Sequence, residues 1–308
     1  MNRRVNVTRM VHPVALCLLA GILAGCATNT HALDKAQAQQ RWNRARGGVK
    51  LQLAEQQYQF GQFEDTVQTA SEALALDPSR ARAYVLLARS YLELGKSGSA
   101  RQTVEAARGA GLDTSDLWYT EGVLLEQSGQ TDAALDKYAH ARGLDPTNVD
   151  SLVAQAECLV AADRATEALA LLNRERDRVD DNATSDVLAA HIAVLTGDHR
   201  EAIRHYRQAL VEVGPGGVIA AELGVLLTQV DRCDEALTVL RPLLERPDDV
   251  PMEGAVRRAL AACYLATDNT RLAADSLAEY AEENRQDALA QLLLAKAAIA
   301  NGDVITAL

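Results

Sequence analysis

Small and apolar residues return along this chain at a fixed spacing. Ala100, Ala134, Ala168, Ala202 and Ala236 mark one register, each 34 residues from the next. Five residues ahead of that register stand Gly61, Gly95, Gly129 and Gly197, with Asp163 and Asp231 filling the gaps. Tyr84 and Trp118 share another phase, as do Ala73, Ala107, Ala141 and Ala209, and Pro78 and Pro146 each close a Leu-Asp-Pro sequence. A period of this length marks a repeat architecture. Each period predicts two antiparallel helices joined at a glycine that can take the left-handed turn conformation. Small residues such as Ala88, Gly122 and Ala156 let the first helix approach the second, and Ala100 and Ala134 do the same from the other side. Tyr138 and Tyr206 are placed to fill the space between units. The Asp-Pro ending stops the second helix, because proline disfavours a helical preceding residue. No such unit buries its apolar face alone, so stacked neighbours make the core.

The clearest unit is SDLWYTEGVLLEQSGQTDAALDKYAHARGLDPTN, from Ser115 to Asn148. With a bulky residue at its fourth place, small ones at the eighth, twentieth and twenty-seventh, and proline at the thirty-second, it resembles the tetratricopeptide repeat (TPR). The resemblance implies an all-α fold, a right-handed α-solenoid superhelix of about seven complete TPR helix pairs plus a truncated eighth. Units are expected to start near Gly47, Ala81, Ser115, Val149, Ala183 and Gly217. After a three-residue insertion around Pro247–Pro251, the next starts fall at Gly254 and Ala288. The array thus occupies 47–308. Two units depart from the pattern. The first has Lys50 where tryptophan or tyrosine is usual and Thr66 in place of the helix-contact alanine, as a worn cap would. The fourth has Glu175 where alanine is expected and no closing proline, so its second helix is the furthest from the repeat. The chain stops at Thr306-Ala307-Leu308 inside a second helix, and we therefore expect a fragment of a longer protein.

The N-terminus reads differently. Residues 1–10 carry Arg3, Arg4 and Arg9 and no acid, and Val11 to Leu23 is nearly all apolar. A basic start, a short apolar stretch and small residues at a cut site form a secretory signal. The apolar stretch is too short for a stable membrane span. Leu23-Ala24-Gly25-Cys26 resembles the lipobox of bacterial lipoproteins. This implies a signal peptide over 1–25, cleavage before Cys26 and acylation of Cys26. Several acyl chains together anchor a protein stably. Ala27 is not the aspartate associated with inner-membrane retention, which points to the outer membrane, facing the periplasm. Residues 26–46 are then the lipidated cysteine and a polar tether, frayed helix toward its end.

Composition agrees with helix. Hydrophobic residues make up 48% but aromatics only 4%, so alanine and leucine carry the apolar surface, and both lose little freedom in a helix. The formal net charge is -11, and without Arg3, Arg4 and Arg9 it is 28 basic residues against 42 acidic. Phosphate neutralisation needs a basic face, so nucleic acid is not an expected partner. Of 5 cysteines, Cys158, Cys233 and Cys263 lie in the array without metal-ligand or disulfide-framework spacing, and Cys158 and Cys263 are read as small apolar helix residues.

In the TPR architecture the first helices line a concave groove, with surface from the second, fifth, ninth, twelfth and thirteenth places. Carried over, the candidate partner-binding residues are Leu51, Tyr58, Arg82, Val85, Arg89, Leu92, Tyr119 and Val123, with Glu55 and Glu126 beside them. A later stretch holds Val153, Val187, His191, Val194, Val218, Val225, Arg258 and Leu265, among others. Aromatics and arginine anchor interfaces, and a groove of this kind suits an extended or helical peptide segment of an envelope protein. The carboxylate clamp of cytosolic chaperone-binding repeats is not expected, since its lysine and asparagine places hold Leu51 and Glu55.

Nothing points to catalysis, a cofactor, a metal or a small-molecule substrate. HExxH, GxSxG, Walker-type and GxGxxG motifs do not occur. His191, His199 and His205 have no metal-ligand spacing, and His199 and His205 are expected to be solvated. Met252 and Glu253 fall in the insertion loop. The expectation is a lipid-anchored scaffold of pilus, secretion or outer-membrane complex assembly. The alternative is the recognition arm of an enzyme whose catalytic domain follows Leu308.

Overall fold

The computed structural model describes residues 12–245 and 250–302, with side chains from residue 33. The described residues form helices and turns, with no strand. Contacts divide the chain into two compact units, one ending at Leu124 and one beginning at Leu125.

In the first unit, α1 (His12–Gln59) packs on α2 (Phe63–Leu76), followed by α3 (Ala81–Glu93) and α4 (Ser97–Gly109) and then by α5 (Ser115–Gln127), which carries the division. The stretch expected to be a tether is therefore helical. Between Ala32 and Gly47 it is made of alanine, glutamine, arginine and other helix formers, with no proline to stop it. Where α1 meets α2, Gly47 lies so close to Asp77 and the Ala73 carbonyl that a Cβ would sit 3.3 Å from Asp77 Cβ. Besides its partner in sequence, α1 touches α3, so successive first helices stack side by side.

The second unit continues with α6 (Thr131–Leu144), α7 (Val149–Ala161), α8 (Ala165–Glu175), α9 (Asn182–Leu195), α10 (His199–Val213), α11 (Gly217–Gln229), α12 (Cys233–Leu240), α13 (Glu253–Ala266), α14 (Thr270–Glu283) and α15 (Ala288–Ala300). Short 3₁₀ turns follow α8 at Arg176–Arg178 and α12 at Arg241–Glu245. Pro242 has no N–H to extend α12. Here too first helices touch: α7 meets α9, α11 meets α13, and α13 meets α15.

The register seen in the sequence has a physical counterpart in each unit. Ala73, Ala100 and Ala107 in the first, and Ala134, Ala141, Ala168, Ala202, Ala209 and Ala236 in the second, are all completely buried. Tyr138 and Tyr206 are buried as well. The turn positions take left-handed backbone. Gly95 has φ 69° and Gly129 74°, and the aspartates that replace glycine do the same, Asp163 at 62° and Asp231 at 58°. Aspartate tolerates that region better than most side chains, which explains the substitution. The Leu-Asp-Pro ends also share one device. Asp77 Oδ1 accepts from the Ser79 hydroxyl at 2.6 Å, and Asp145 Oδ1 from the Thr147 hydroxyl at 3.0 Å, turning the chain into the next first helix. Thr66 replaces an alanine at no polar cost, because its buried hydroxyl donates to the Gln62 carbonyl at 2.8 Å.

Candidate functional site

The first helices of the first unit, α1, α3 and α5, present a shared face on which charge and aromatic rings alternate. Arg82 spans it. Its Nε donates to Glu55 Oε1 on α1 at 3.3 Å, and its Nη1 to Asp116 Oδ2 on α5 at 3.2 Å. Two turns along, the Arg89 guanidinium lies 5.0 Å from the centroid of the Tyr119 ring, within cation–π range. Tyr58 is half-buried at the α1 end, edge-to-face with Phe63 at 5.5 Å. Burial pushes the Tyr58 phenol above its ordinary range, with Arg89 and Arg82 drawing it down and Glu93 raising it. The phenol stays neutral, a hydrogen-bond donor and acceptor.

The eight candidate groove residues do not share one fate. Arg82 is exposed, and Tyr58, Arg89, Leu92, Tyr119 and Val123 are half-buried, all on first helices of the unit. Leu51 is half-buried and packs on the cluster around Ala54, Ala70 and Leu86, while Leu92 leans on the cluster of Ala88, Ala100 and Leu124. Val85 departs from expectation. It is fully buried with Ala107 and Leu117 and has no surface to offer a partner. Its register place packs between Ala107 of α4 and Leu117 of α5 instead of facing the groove. Asp116, absent from the candidate set, belongs to the face; it stands 34 residues after Arg82 in the same place of the repeat, which is the signal that locates it.

In the second unit the later groove positions are more self-contained. His191 Nε2 meets Glu222 Oε2 at 3.0 Å, and the His191 ring is edge-to-face with Tyr206 at 5.9 Å. Arg258 is paired with Asp287, which also accepts from the Tyr280 hydroxyl at 3.1 Å. Val194 and Val218 remain exposed.

His205 corrects the sequence reading. Rather than solvated, it is 1% exposed. Its Nδ1 meets Asp186 Oδ1 at 2.8 Å, and its Nε2 faces Arg204 Nη2 at 2.7 Å. Arginine only donates, so Nε2 accepts and Nδ1 carries the proton toward Asp186. Asp186, itself fully buried, also accepts Arg176 Nη2 at 2.7 Å. Burial pushes its carboxyl up, but hydrogen bonds from His205 and Arg176 outweigh that and hold it below the usual carboxylate range. No nucleophile joins this constellation, and among the described residues no group of three His, Cys, Asp or Glu could hold a metal ion. Met252 caps α13 in left-handed conformation and Glu253 opens that helix, accepting Arg257 Nε at 2.7 Å; residues 246–249 of the insertion lie outside the described residues.

Residues 1–11 also lie outside them, as does the side chain of Cys26, whose backbone is within α1. Among the described residues no helix is long and apolar enough to cross a membrane.

Helix pairs stacked through their first helices define an α-helical repeat protein. A tetratricopeptide-repeat family model matches residues 57–121 and 125–189. No curated protein matches the chain. Among solved structures, the C-terminal part of a TPR repeat-containing protein from Cytophaga hutchinsonii superposes with a TM-score of 0.64 at 14% identity, covering 79% of this chain and 99% of that one. PilF of Pseudomonas aeruginosa gives 0.54 at 16% identity, covering 66% and 92%. These are likenesses of fold. The tetratricopeptide fold is in general a non-catalytic scaffold for protein–protein interaction.

Proposed function

We propose that the protein is a lipid-anchored adaptor of the bacterial envelope, held through Cys26 to the outer membrane on its periplasmic side, and that it grips a segment of an envelope protein in the groove of its first unit. The observation that carries the binding part of this reading is the α1–α3–α5 face; the anchoring part rests on the Leu23-Ala24-Gly25-Cys26 sequence. Tyr58, Arg82, Arg89 and Tyr119 stand together there as rigid rings and arginines, with Glu55 and Asp116 as counter-charges, a set of groups suited to anchoring a peptide. Pilus, secretion or outer-membrane complex assembly is the setting to test first.

The test is co-purification of the acylated protein from its own envelope in mild detergent, with crosslinking mass spectrometry. Under this reading, an envelope protein crosslinks to α1, α3 or α5, and the double variant Tyr58→Asp, Tyr119→Asp loses the crosslink at a temperature where circular dichroism shows it still folded. Equal crosslinking in the double variant would remove the groove from the mechanism.

A further inference from the structure

The helix α1 is apolar on two opposite sides, and the fold uses one of them. Gly47, Leu51, Ala54 and Tyr58 face the rest of the first unit. On the far side, Trp42, Val49, Leu53 and Phe60 recur at spacings of 7, 4 and 7 residues, which places them on one stripe of a helix. All four are exposed: Trp42 60%, Val49 67%, Leu53 43% and Phe60 80%. The Phe60 N–H still bonds the Gln56 carbonyl at 3.1 Å, so the helical phase holds to the end of the stripe. Scattered apolar residues on a surface are ordinary, but an aligned row of four large ones marks an interaction face.

Charge says what covers it. Residues 33–60 carry Lys35, Arg41, Arg44, Arg46 and Lys50 against Asp34 and Glu55, a net +3 in a chain whose total is -11. Lys35, Arg41 and Arg46 are exposed and form no ion pair among the described residues. A second copy docking symmetrically on this face would set the same basic side chains against each other, which like charges oppose. An anionic lipid surface suits both components. Tryptophan and phenylalanine enter the boundary between headgroups and acyl chains, and lysine and arginine lie along it with their charges among the phosphates. Trp42 is 16 residues beyond Cys26, roughly 24 Å along a helix, within reach of an anchored leaflet.

We infer that α1 lies on the membrane, its Trp42–Val49–Leu53–Phe60 stripe inserted at the interface of an anionic leaflet and its Lys35, Arg41 and Arg46 on the phosphates. The inference rests on the proposed envelope location, since it needs such a leaflet within reach. On this reading the anchor does more than tether; the stripe orients the first unit, so that the packed side of α1 faces away from the lipid.

The experiment uses the full chain, purified from host membranes, with intact-mass spectrometry reporting whether Cys26 carries lipid. The protein is reconstituted into vesicles of phosphatidylethanolamine and phosphatidylglycerol whose acyl chains are brominated, and tryptophan emission is read. The difference between wild type and Trp42→Phe isolates Trp42 from Trp118. The expected result is about two-fold quenching of the Trp42 component, weaker in phosphatidylcholine and in the triple variant Lys35→Glu, Arg41→Glu, Arg46→Glu. Because these side chains are exposed, melting curves of all variants should match wild type. Quenching in protein whose mass shows no lipid supports the membrane face and sinks the anchor. Lipid on Cys26 with an unquenched Trp42 overturns the membrane face and leaves the anchor standing. A dimer in detergent that Leu53→Asp dissolves, with Trp42 unquenched in vesicles, overturns it in favour of a second copy.

Discussion

Two stretches of the second unit bury helices against one another by opposite chemistry. Where α8, α9 and α10 meet, a charged cluster is set into the interior beside buried apolar residues such as Leu172 and Ile192. Glu175, 6% exposed, takes Arg142 at 3.1 Å, Arg174 at 2.8 Å and Arg178 at 2.9 Å, and beside it Asp186 holds His205 and Arg176. From α11 to α14 the interior is hydrocarbon: Leu223, Leu227, Leu240, Leu260, Cys263 and Leu277 form one continuous cluster with the repeat alanines. The charged joint falls where the repeat lost its alanine and its closing proline. Instead of stopping at proline, α8 tightens into a 3₁₀ turn whose Arg176 and Arg178 supply the pairing. A buried ion cluster adds little net stability over an apolar filling, but it tolerates no missing member, and it fixes which groups must meet. An apolar cluster loses stability in proportion to what is removed.

The largest expected effect separates these behaviours. Asp186→Ala leaves the buried His205 without its acceptor, takes the closest partner from half-buried Arg176, and should cost about 3–5 kcal/mol in denaturant unfolding. A loss under about 1 kcal/mol would show that the joint is not held by its charges. In the apolar stretch, Leu260→Ala removes a fully buried side chain and should cost about 3 kcal/mol, read on the same curves. Gly224→Ala, which sets a Cβ against the Leu240 side chain, is expected to cost about 1–3 kcal/mol by overpacking.

Acid sharpens the contrast. The Arg204 hydrogen bond and charge hold Glu201 down at about 2, against an ordinary 4.5. For Glu175, burial pushes upward, but hydrogen bonding from Arg174 and the charges of Arg142 and Arg178 leave it below its ordinary value, as Asp186 is below its own. A carboxylate depressed in the folded state contributes stability that is complete above its unfolded value and is lost as pH falls through the folded one. Stability should therefore decline from about pH 4.5 toward pH 2, and the decline should be shallower in Glu201→Gln; unfolding curves at several pH values decide it. The smallest effect is chemical. Burial, and then the hydrogen bond with Cys263, push the Cys233 thiol up to about 12. At pH 8 native protein should leave Cys233 unalkylated by iodoacetamide, and unfolding should release it, as peptide mass mapping would show.

Much of the fold was legible because the repeat writes it many times. Ala100, Ala134 and their equivalents announce close helix contacts, and each is completely buried. Asp163 and Asp231 could be read as turn residues only because glycine stood in the same phase elsewhere. The candidate site was legible in part. Phase put Arg82, Arg89 and Tyr119 on first helices, yet it could not tell that Val85 turns inward while Arg82, three residues earlier, reaches across to Asp116. A register place gives a direction from one helix, and burial depends on what the neighbouring helices put opposite it.

What the sequence alone determined is the periodic part: helix pairs, their turns, their Asp-Pro stops and the apolar seam between them, because each depends on backbone preference and on spacing within some 34 residues. Tertiary structure alone decided the fate of the polar exceptions. His205 looked like a surface histidine until Asp186, 19 residues away, and Arg204 enclosed it, and Glu175 looked like a defect until Arg142 came across from another repeat. The outer stripe of α1 likewise became an exposed face only once packing had consumed the opposite side. Pairing of buried charges is set by distances between side chains from different helices, and no period along one chain carries that information.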